Sequence, residues 1–382
     1  MATEKLYYQD CHLRSFSACV TACQQGPDGY WVTLNATAFY PEGGGQACDI
    51  GTLGDATVLK TLEKDDEIFH ICDRPLPVGS AVTGTIDWER RFDLMQQHTG
   101  EHILSGLIFD AFGYHNTGFH VGADVMEVDF DGLISQEDLA KLEQKANQAI
   151  WENLPVHCSV PSPEALPAIA YRTKRPLPWP VRIVEIPGCD RCACCGVHVK
   201  HTGEVGVLKI LSCVKLRQGV RLEMVCGKRA FRYYQEIFEQ NKQVSQCFSA
   251  QILETGAAAR KISDTLAQEK YKTAGLQSQI FTYIAESYVN RENVIHFAPD
   301  LSSAQIRQLA DAISLKCRGY AAVFSGSDDH YGYCLINQTG EVAALGKALT
   351  QALNGRGGGK PNAQQGTIAA TKEQIEDFFA NN

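Results

Sequence analysis

Nowhere in the 382 residues does an apolar run reach the length of a membrane span. Met1-Ala2-Thr3-Glu4-Lys5 also lacks the cationic start and apolar stretch of a secretory leader. Both absences disfavour secretion and membrane insertion and favour the cytoplasm. A compact disulfide scaffold is missing as well. The fifteen cysteines are an odd number, and Cys19, Cys23, Cys72, Cys213, Cys226 and Cys334 are scattered among apolar positions. A reducing compartment fits that pattern. There is no excess of charge, since 21% charged and 44% hydrophobic residues describe an ordinary globular protein. The length leaves room for two or three domains.

What is present is uneven. The net charge of −9 hides a split: residues 1–170 hold 9 basic against 25 acidic residues, residues 171–232 hold 13 against 4, and residues 233–382 hold 13 against 15. The central block includes Arg172, Lys174, Arg175, Arg182, Arg191, Lys200 and Arg221. It would steer a polyanion, or simply balance an acidic neighbour.

Two segments carry metal chemistry. His98-Thr99-Gly100-Glu101-His102 sets two imidazoles four residues apart, on one face of a helix. Apolar Ile103, Leu104, Leu107 and Ile108 follow at helical spacing. Cys194-Cys195-Gly196-Val197-His198 adds a thiol and a third imidazole from a tight turn, and Thr202–Ile210 then runs from a turn into a strand. Each half alone is weak, because H-x-x-x-H arises by chance in many helices. Together His98, His102, a cysteine and His198 offer nitrogen and sulfur donors that suit zinc better than calcium, magnesium or iron. Spacing does not choose the cysteine. Cys189, Cys192, Cys194 and Cys195 crowd together, and their CxxC pairs also fit a closed structural site or a redox pair.

Along the chain, short apolar runs and turns over residues 1–87 predict a small antiparallel β-barrel or sandwich. Inside it, Phe39–Gln46 carries three glycines that suit close backbone approach to a ligand or a flexible loop. Residues 88–227 mix helix and strand: a helix over Asp93–Phe112, a strand at Met126–Phe130, and a helix over Gln136–Leu154 capped by Ser135. A proline-rich connection (Pro161 to Pro180) leads to the Cys/His turn. Residues 228–290 predict a shorter and a longer helix as an arm, and residues 291–382 a small α/β domain. That last domain holds Gly355–Gly366, read as a loop whose backbone donors, with Arg356 and Lys360, suit a phosphate. The expected class is α+β.

Taken in order, Phe39–Gln46 with Asp49 and Gly51, His98-x-x-x-His102, Cys194-x-x-x-His198 followed by Thr202-Gly203-Glu204-x-Gly206, and Gly355–Gly366 resemble one family. It is the editing half of alanyl-tRNA synthetase and the free-standing AlaX alanyl-tRNA editing proteins in their long form. The resemblance implies a barrel, an editing domain of the threonyl/alanyl-tRNA synthetase type, a helical arm and a terminal α/β domain. It selects Cys194 as the fourth zinc ligand, with one ion per chain. It implies hydrolysis of serine, or glycine, mischarged on alanine tRNA, and a homodimer through the arm or terminal domain. Gly44, Gly45 and Gln46 would close over the terminal adenosine or aminoacyl group, and Asn116 and Thr117 would sense the amino acid. Glu101 would act as base or as partner of a ligand histidine. No segment resembles a class II aminoacylation core, so a complete synthetase is not expected. Glu101 stands where the synthetase usually has threonine. The resulting H-x-x-E-H string also fits an inverted zinc peptidase, and a non-catalytic zinc-stabilised RNA-binding protein is a third reading.

Overall fold

A computed structural model describes residues 3–173 and 177–381. Lys174 and Arg175 of the basic block, and Pro176 of the proline-rich connection, lie outside the described residues. The chain forms two compact units, Met1–Gln243 and Val244–Asn382.

In the first unit, six antiparallel strands close on themselves: β1 (Ser15–Gly26), β2 (Gly29–Leu34), β3 (Gly51–Leu53), β4 (Ala56–Lys64), β5 (Glu67–Cys72) and β6 (Ala81–Ile86). They pair in the order β1-β2-β5-β4-β3-β6, and the ring shuts where Ser15 of β1 pairs with Thr85 of β6. Period-two alternation makes β1 a barrel strand: Phe16, Ala18 and Val20 point inward while Ser15 and Ser17 face water. Phe16, Leu34, Phe39, Leu53 and Val58 fill the interior.

The last barrel strand runs straight into α1 (Trp88–Phe112). The Asp87 carboxylate caps the helix by accepting the Arg90 backbone N–H at 3.1 Å. The helix therefore begins earlier than the expected Asp93. Strands β7 (Asn116–Val121) and β8 (Met126–Phe130), helix α2 (Gln136–Trp151) and the small sheet of β9 (His157–Ser159), β10 (Ile183–Ile186) and β11 (Asp190–Ala193) follow. Then come β12 (Leu208–Lys215) and β13 (Val220–Cys226), completing a sheet of order β12-β13-β8-β7. Ser135 caps α2 as expected, but the helix stops at Trp151 rather than Leu154. Asn153 has turned to φ 52°, and its side chain accepts the Gly203 N–H.

Residues 1–87 do not stand apart. Tyr7, Tyr40 and Ile68 share one buried core with Leu94, Ile103 and Leu104 of α1, Val128 of β8 and Leu222 of β13. Barrel and α/β layer therefore form a single compact unit rather than two. The small sheet reaches α1 through Gly106, where a Cβ would meet the Cys189 carbonyl oxygen at 2.2 Å and Asp190 Cβ at 2.6 Å.

The helices expected as an arm are α3 (Gly227–Phe248) and α4 (Thr255–Glu286). They do not make a body of their own, because Phe281 and Ala285 of α4 enter the core of the terminal unit with Val294, Ile306 and Leu309. There β14 (Val294–Phe297), α5 (Ser303–Ser314), β15 (Tyr320–Ser327), β16 (His330–Asn337), α6 (Ala343–Ala352), β17 (Arg356–Lys360), β18 (Ala363–Ile368) and α7 (Lys372–Ala380) form a five-stranded sheet with flanking helices, in order β14-β15-β16-β18-β17.

The glycine-rich segment expected as a loop is a β-hairpin. Arg356 pairs with Thr367 and Lys360 with Ala363, so the backbone groups on that side are spent on β18. Glycine permits this because the strand packs closely: a Cβ on Gly357 would meet the Tyr333 hydroxyl at 2.3 Å. Arg356 and Lys360 end the same edge strand, both exposed. No helix among the described residues is long and apolar enough to cross a membrane.

Candidate metal centre

The two histidine-bearing segments meet. His98 and His102 project from one face of α1, Cys194 follows β11, and His198 lies four residues further along the same turn. Their ligand atoms all fall within 4.8 Å of one another. The rings pack face and edge, His98 and His198 having centroids 4.5 Å apart, and His98 Nε2 lies 3.5 Å from Cys194 Sγ. All three histidines are buried and Cys194 is partly exposed.

Each imidazole is oriented through its other nitrogen. His98 Nδ1 donates to Gln46 Oε1 at 2.8 Å, His102 Nδ1 to Asp190 Oδ2 at 2.8 Å, and His198 Nδ1 meets Thr99 Oγ1 at 3.3 Å. That arrangement selects the tautomer and turns every Nε2 inward. His198 Nε2 is buried without a hydrogen-bond partner, a costly state that a metal bond would relieve. Three imidazole nitrogens and one sulfur within a few ångströms fit a zinc ion with ~2.0–2.3 Å bonds.

The electrostatics separate the cysteines. Burial alone would raise the Cys194 thiol, but the neighbouring charge on His98 and hydrogen bonds from His102, His198 and His98 hold it well below its ordinary value. Cys192 is pushed up to about 11, chiefly by burial, and Cys195 is raised by the same cause. Cys194 is the cysteine whose sulfur joins the four-residue cluster, and of the three its thiol is the one held low. His198 is lowered to about 3, by burial first and then by the charge of His98. Burial also opposes the charge on His102, yet the Asp190 hydrogen bond keeps it well above its usual value. Asp190 sits low despite burial, held by His102 and by a two-pronged bond from Arg172 (Nε to Oδ1 2.7 Å, Nη2 to Oδ2 2.9 Å).

A cleft of about 1020 Å³ opens onto this cluster. Gly44, Glu101, Asn116, Thr117 and Phe119 line it beside His98, His102 and Cys194. Glu101 is buried, and its Oε1 accepts from Ser105 Oγ and, at 2.5 Å, from Asn116 Nδ2. Its Oε2 lies 4.0 Å from His102 Nε2, next to the convergence point. Because Nδ2 is committed to Glu101, Asn116 presents Oδ1, which is buried with no partner. Thr117 is exposed on the wall and bonds to the Asp129 carbonyl at 3.3 Å. Gly44 and Gly45 belong to a tight turn closed by paired Gly43–Gln46 backbone bonds. Gly45 has φ 82°, and a Cβ there would meet the Phe119 ring at 2.4 Å.

Arg356 and Lys360 stand on β17 of the other unit and are not among the lining residues. Among the described residues the four-ligand cluster holds no carboxylate, but a second group able to hold a metal, His102, Asp190 and Cys192, shares His102 with it. Asp190, Thr99 and Ser105 escaped the sequence reading, and Arg172 was read only as part of the basic block. Only Thr99 and Ser105 had a local signal, each lying on α1 within one turn of a singled-out residue.

Residues 181–222, which contain Cys194 and His198, match the family model described as threonyl and alanyl tRNA synthetase second additional domain. The alanyl-tRNA editing protein Aarsd1 of Danio rerio is 28% identical over 96% of this chain and 94% of its own. Over nearly its whole length the chain is similar to alanyl-tRNA editing proteins. The alanyl-tRNA editing protein Aarsd1 of Mus musculus aligns over 97% of this chain and 95% of its own, at 27% identity. The alanine–tRNA ligase of Thermofilum pendens is 31% identical, but the chain spans only 43% of that enzyme. The C-Ala domain of Aquifex aeolicus alanyl-tRNA synthetase, at TM-score 0.21 and 16% identity over 24% of this chain and 89% of its own, is too slight a likeness to carry an argument.

Proposed function

We propose that this chain is an aminoacyl-tRNA hydrolase that acts in trans, removing serine, and also glycine, from mischarged alanine tRNA. The observation that carries this reading is the convergence of His98, His102, Cys194 and His198 at the floor of an open cleft. These four would hold one zinc ion. When bound, zinc supplies positive charge that either acidifies water or fixes the aminoacyl group.

Hydrolysis joins a water oxygen to the ester carbonyl carbon and breaks the bond to the ribose oxygen, which leaves with a proton. Glu101 is the group that would take and return that proton. Ser105 and Asn116 fix its Oε1, so Oε2 remains beside the reacting centre. Gln46 would hold His98 in register, while Gly44 and Gly45 give the backbone room to close over the terminal nucleoside. Asn116 Oδ1 is an acceptor in want of a donor. A serine hydroxyl or the α-ammonium group would satisfy it, and Thr117 would add a second polar contact from the wall. Where that donor is the hydroxyl, alanine and glycine both lack it, so the contact would favour removal of serine over either.

The polyanion would be held by the basic block and by Arg356 and Lys360 on β17. The exposed apolar residues Phe231, Tyr234 and Phe238 along α3, and Leu276, Ile280 and Tyr283 along α4, suit a homodimer. The cytoplasm is the matching compartment.

The deciding experiment measures release of labelled serine from Ser-tRNA(Ala) and of alanine from Ala-tRNA(Ala), with and without chelator. Serine should leave about a hundredfold faster or more, and the chelator should stop it. Absence of serine release above the uncatalysed rate from zinc-loaded protein would sink the reading. tRNA affinity should fall steeply with salt, log Kd against log salt being linear over several released counterions. A flat dependence would remove the basic surface from the argument.

Asp190→Asn tests how the site is built. It removes the charge that orients His102, so metal affinity in chelator competition should weaken about 10–100-fold. Unchanged metal retention would make Asp190 a packing residue.

A further inference from the structure

The rim of the cleft carries apolar surface that the chemistry above leaves unused. Ser159 and Val160 at the end of β9, and Leu177, Pro178, Pro180 and Val181 ahead of β10, line its wall. Between Pro178 and Pro180 in the chain stands Trp179, itself not a lining residue of the cleft but 55% exposed, with Val160 at 54% and Leu177 at 38%. Bare hydrocarbon of this size beside a functional cleft is unfavourable in water and marks a contact surface.

Trp179 is held in place. Its indole N–H donates to the Pro161 carbonyl at 3.1 Å, and proline on either side restricts the backbone that carries it. With the N–H satisfied, the indole offers the solvent a fixed aromatic surface and no polar function. Close in sequence lies Arg182, another lining residue of the cleft. It donates to the carbonyls of Cys194 and Gly196 at 2.9 and 2.8 Å, and its guanidinium sits 4.7 Å over the Tyr8 ring.

An anchored aromatic surface on the segment that leads to Arg182, a cation of the cleft, is chemistry that suits single-stranded nucleic acid. Any base can stack on the ring, and the backbone phosphates meet the positive charge. We infer that Trp179 is the stacking platform for a base of the unpaired 3′ end of the tRNA whose ester is cut in the cleft. This rests on the hydrolase reading above and adds to it how the strand is gripped. Trp179 is a binding residue that stays clear of the reacting atoms.

The test uses the full chain, zinc-loaded, as wild type, Trp179→Ala and Trp179→Phe, with thermal unfolding as the check on folding. Trp179→Ala should raise KM for Ser-tRNA(Ala) about tenfold and leave kcat within about twofold. The trinucleotide CCA, added as a competitor, should lose a similar factor in Ki. Trp179→Phe keeps an aromatic face and should recover most of both. The trinucleotide should also quench a fluorescence component that Trp179→Phe lacks. Unchanged KM and Ki in Trp179→Ala, or a loss confined to kcat, overturns the platform. Wild-type protein that releases no serine is instead the failure of the hydrolase reading. In that case the quenching by CCA still decides whether Trp179 meets a base, and its absence ends the proposal.

Discussion

Cys194→Ala should lower the rate of serine release from Ser-tRNA(Ala) by about a thousandfold or more. The loss of one ligand empties or loosens a centre worth several kcal/mol in the transition state, and about 4 kcal/mol corresponds to a factor of a thousand. The cysteine is chosen by geometry as well as charge, since its sulfur lies 3.5 Å from His98 Nε2. Cys192→Ala, on the neighbouring raised thiol, should retain metal and most of the activity. Parallel measurement of metal content and of deacylation for both variants checks the pair. Equal losses in the two would mean that the sulfur in the centre is shared or misassigned. Unfolding of Cys194→Ala, with the metal lost, would instead make the centre a structural staple.

The second large effect lies away from the cleft. Arg91 and Asp49 are both fully buried. The guanidinium reaches the carboxylate through Nε at 2.9 Å and also donates to the carbonyls of Cys11 at 3.1 Å and Ala38 at 2.6 Å. Asp49 in turn accepts the Tyr40 N–H at 2.6 Å. This pair ties the start of α1 to the barrel, and Asp49 lies three residues beyond Gln46. It therefore sets where the glycine turn delivers Gln46 to His98. Arg91→Ala or Asp49→Ala leaves an uncompensated charge in the core and should cost about 3–5 kcal/mol, a large share of a domain's net stability. Urea unfolding followed by tryptophan fluorescence checks this. The double variant Arg91→Met with Asp49→Leu should recover much of the loss. A single variant that loses less than about 1 kcal/mol would show that water reaches the pair.

Much of the site was legible because its signals are local. The four-residue spacing of His98 and His102 needs only helical geometry, and the Cys194 to His198 turn is a short-range feature. The Ser135 cap was equally readable. The glycine segment 355–366 misled, because whether glycines form a loop or a strand depends on a partner, and the partner is β18. Helix α4 has the helical periodicity expected of the arm, and its last turn also enters the core around Ile306 and Leu309.

By itself the sequence determined the donor types, the two segments that carry them and the helices and strands they ride on, since each follows from spacing over a few residues. Tertiary structure alone decided which nitrogen of each imidazole faces the cluster, and that Asp190, 88 residues from His102, is the group that orients that ring. Those choices depend on the close approach at Gly106 and on the buried Arg91–Asp49 pair, contacts between segments far apart in the chain that no local pattern records.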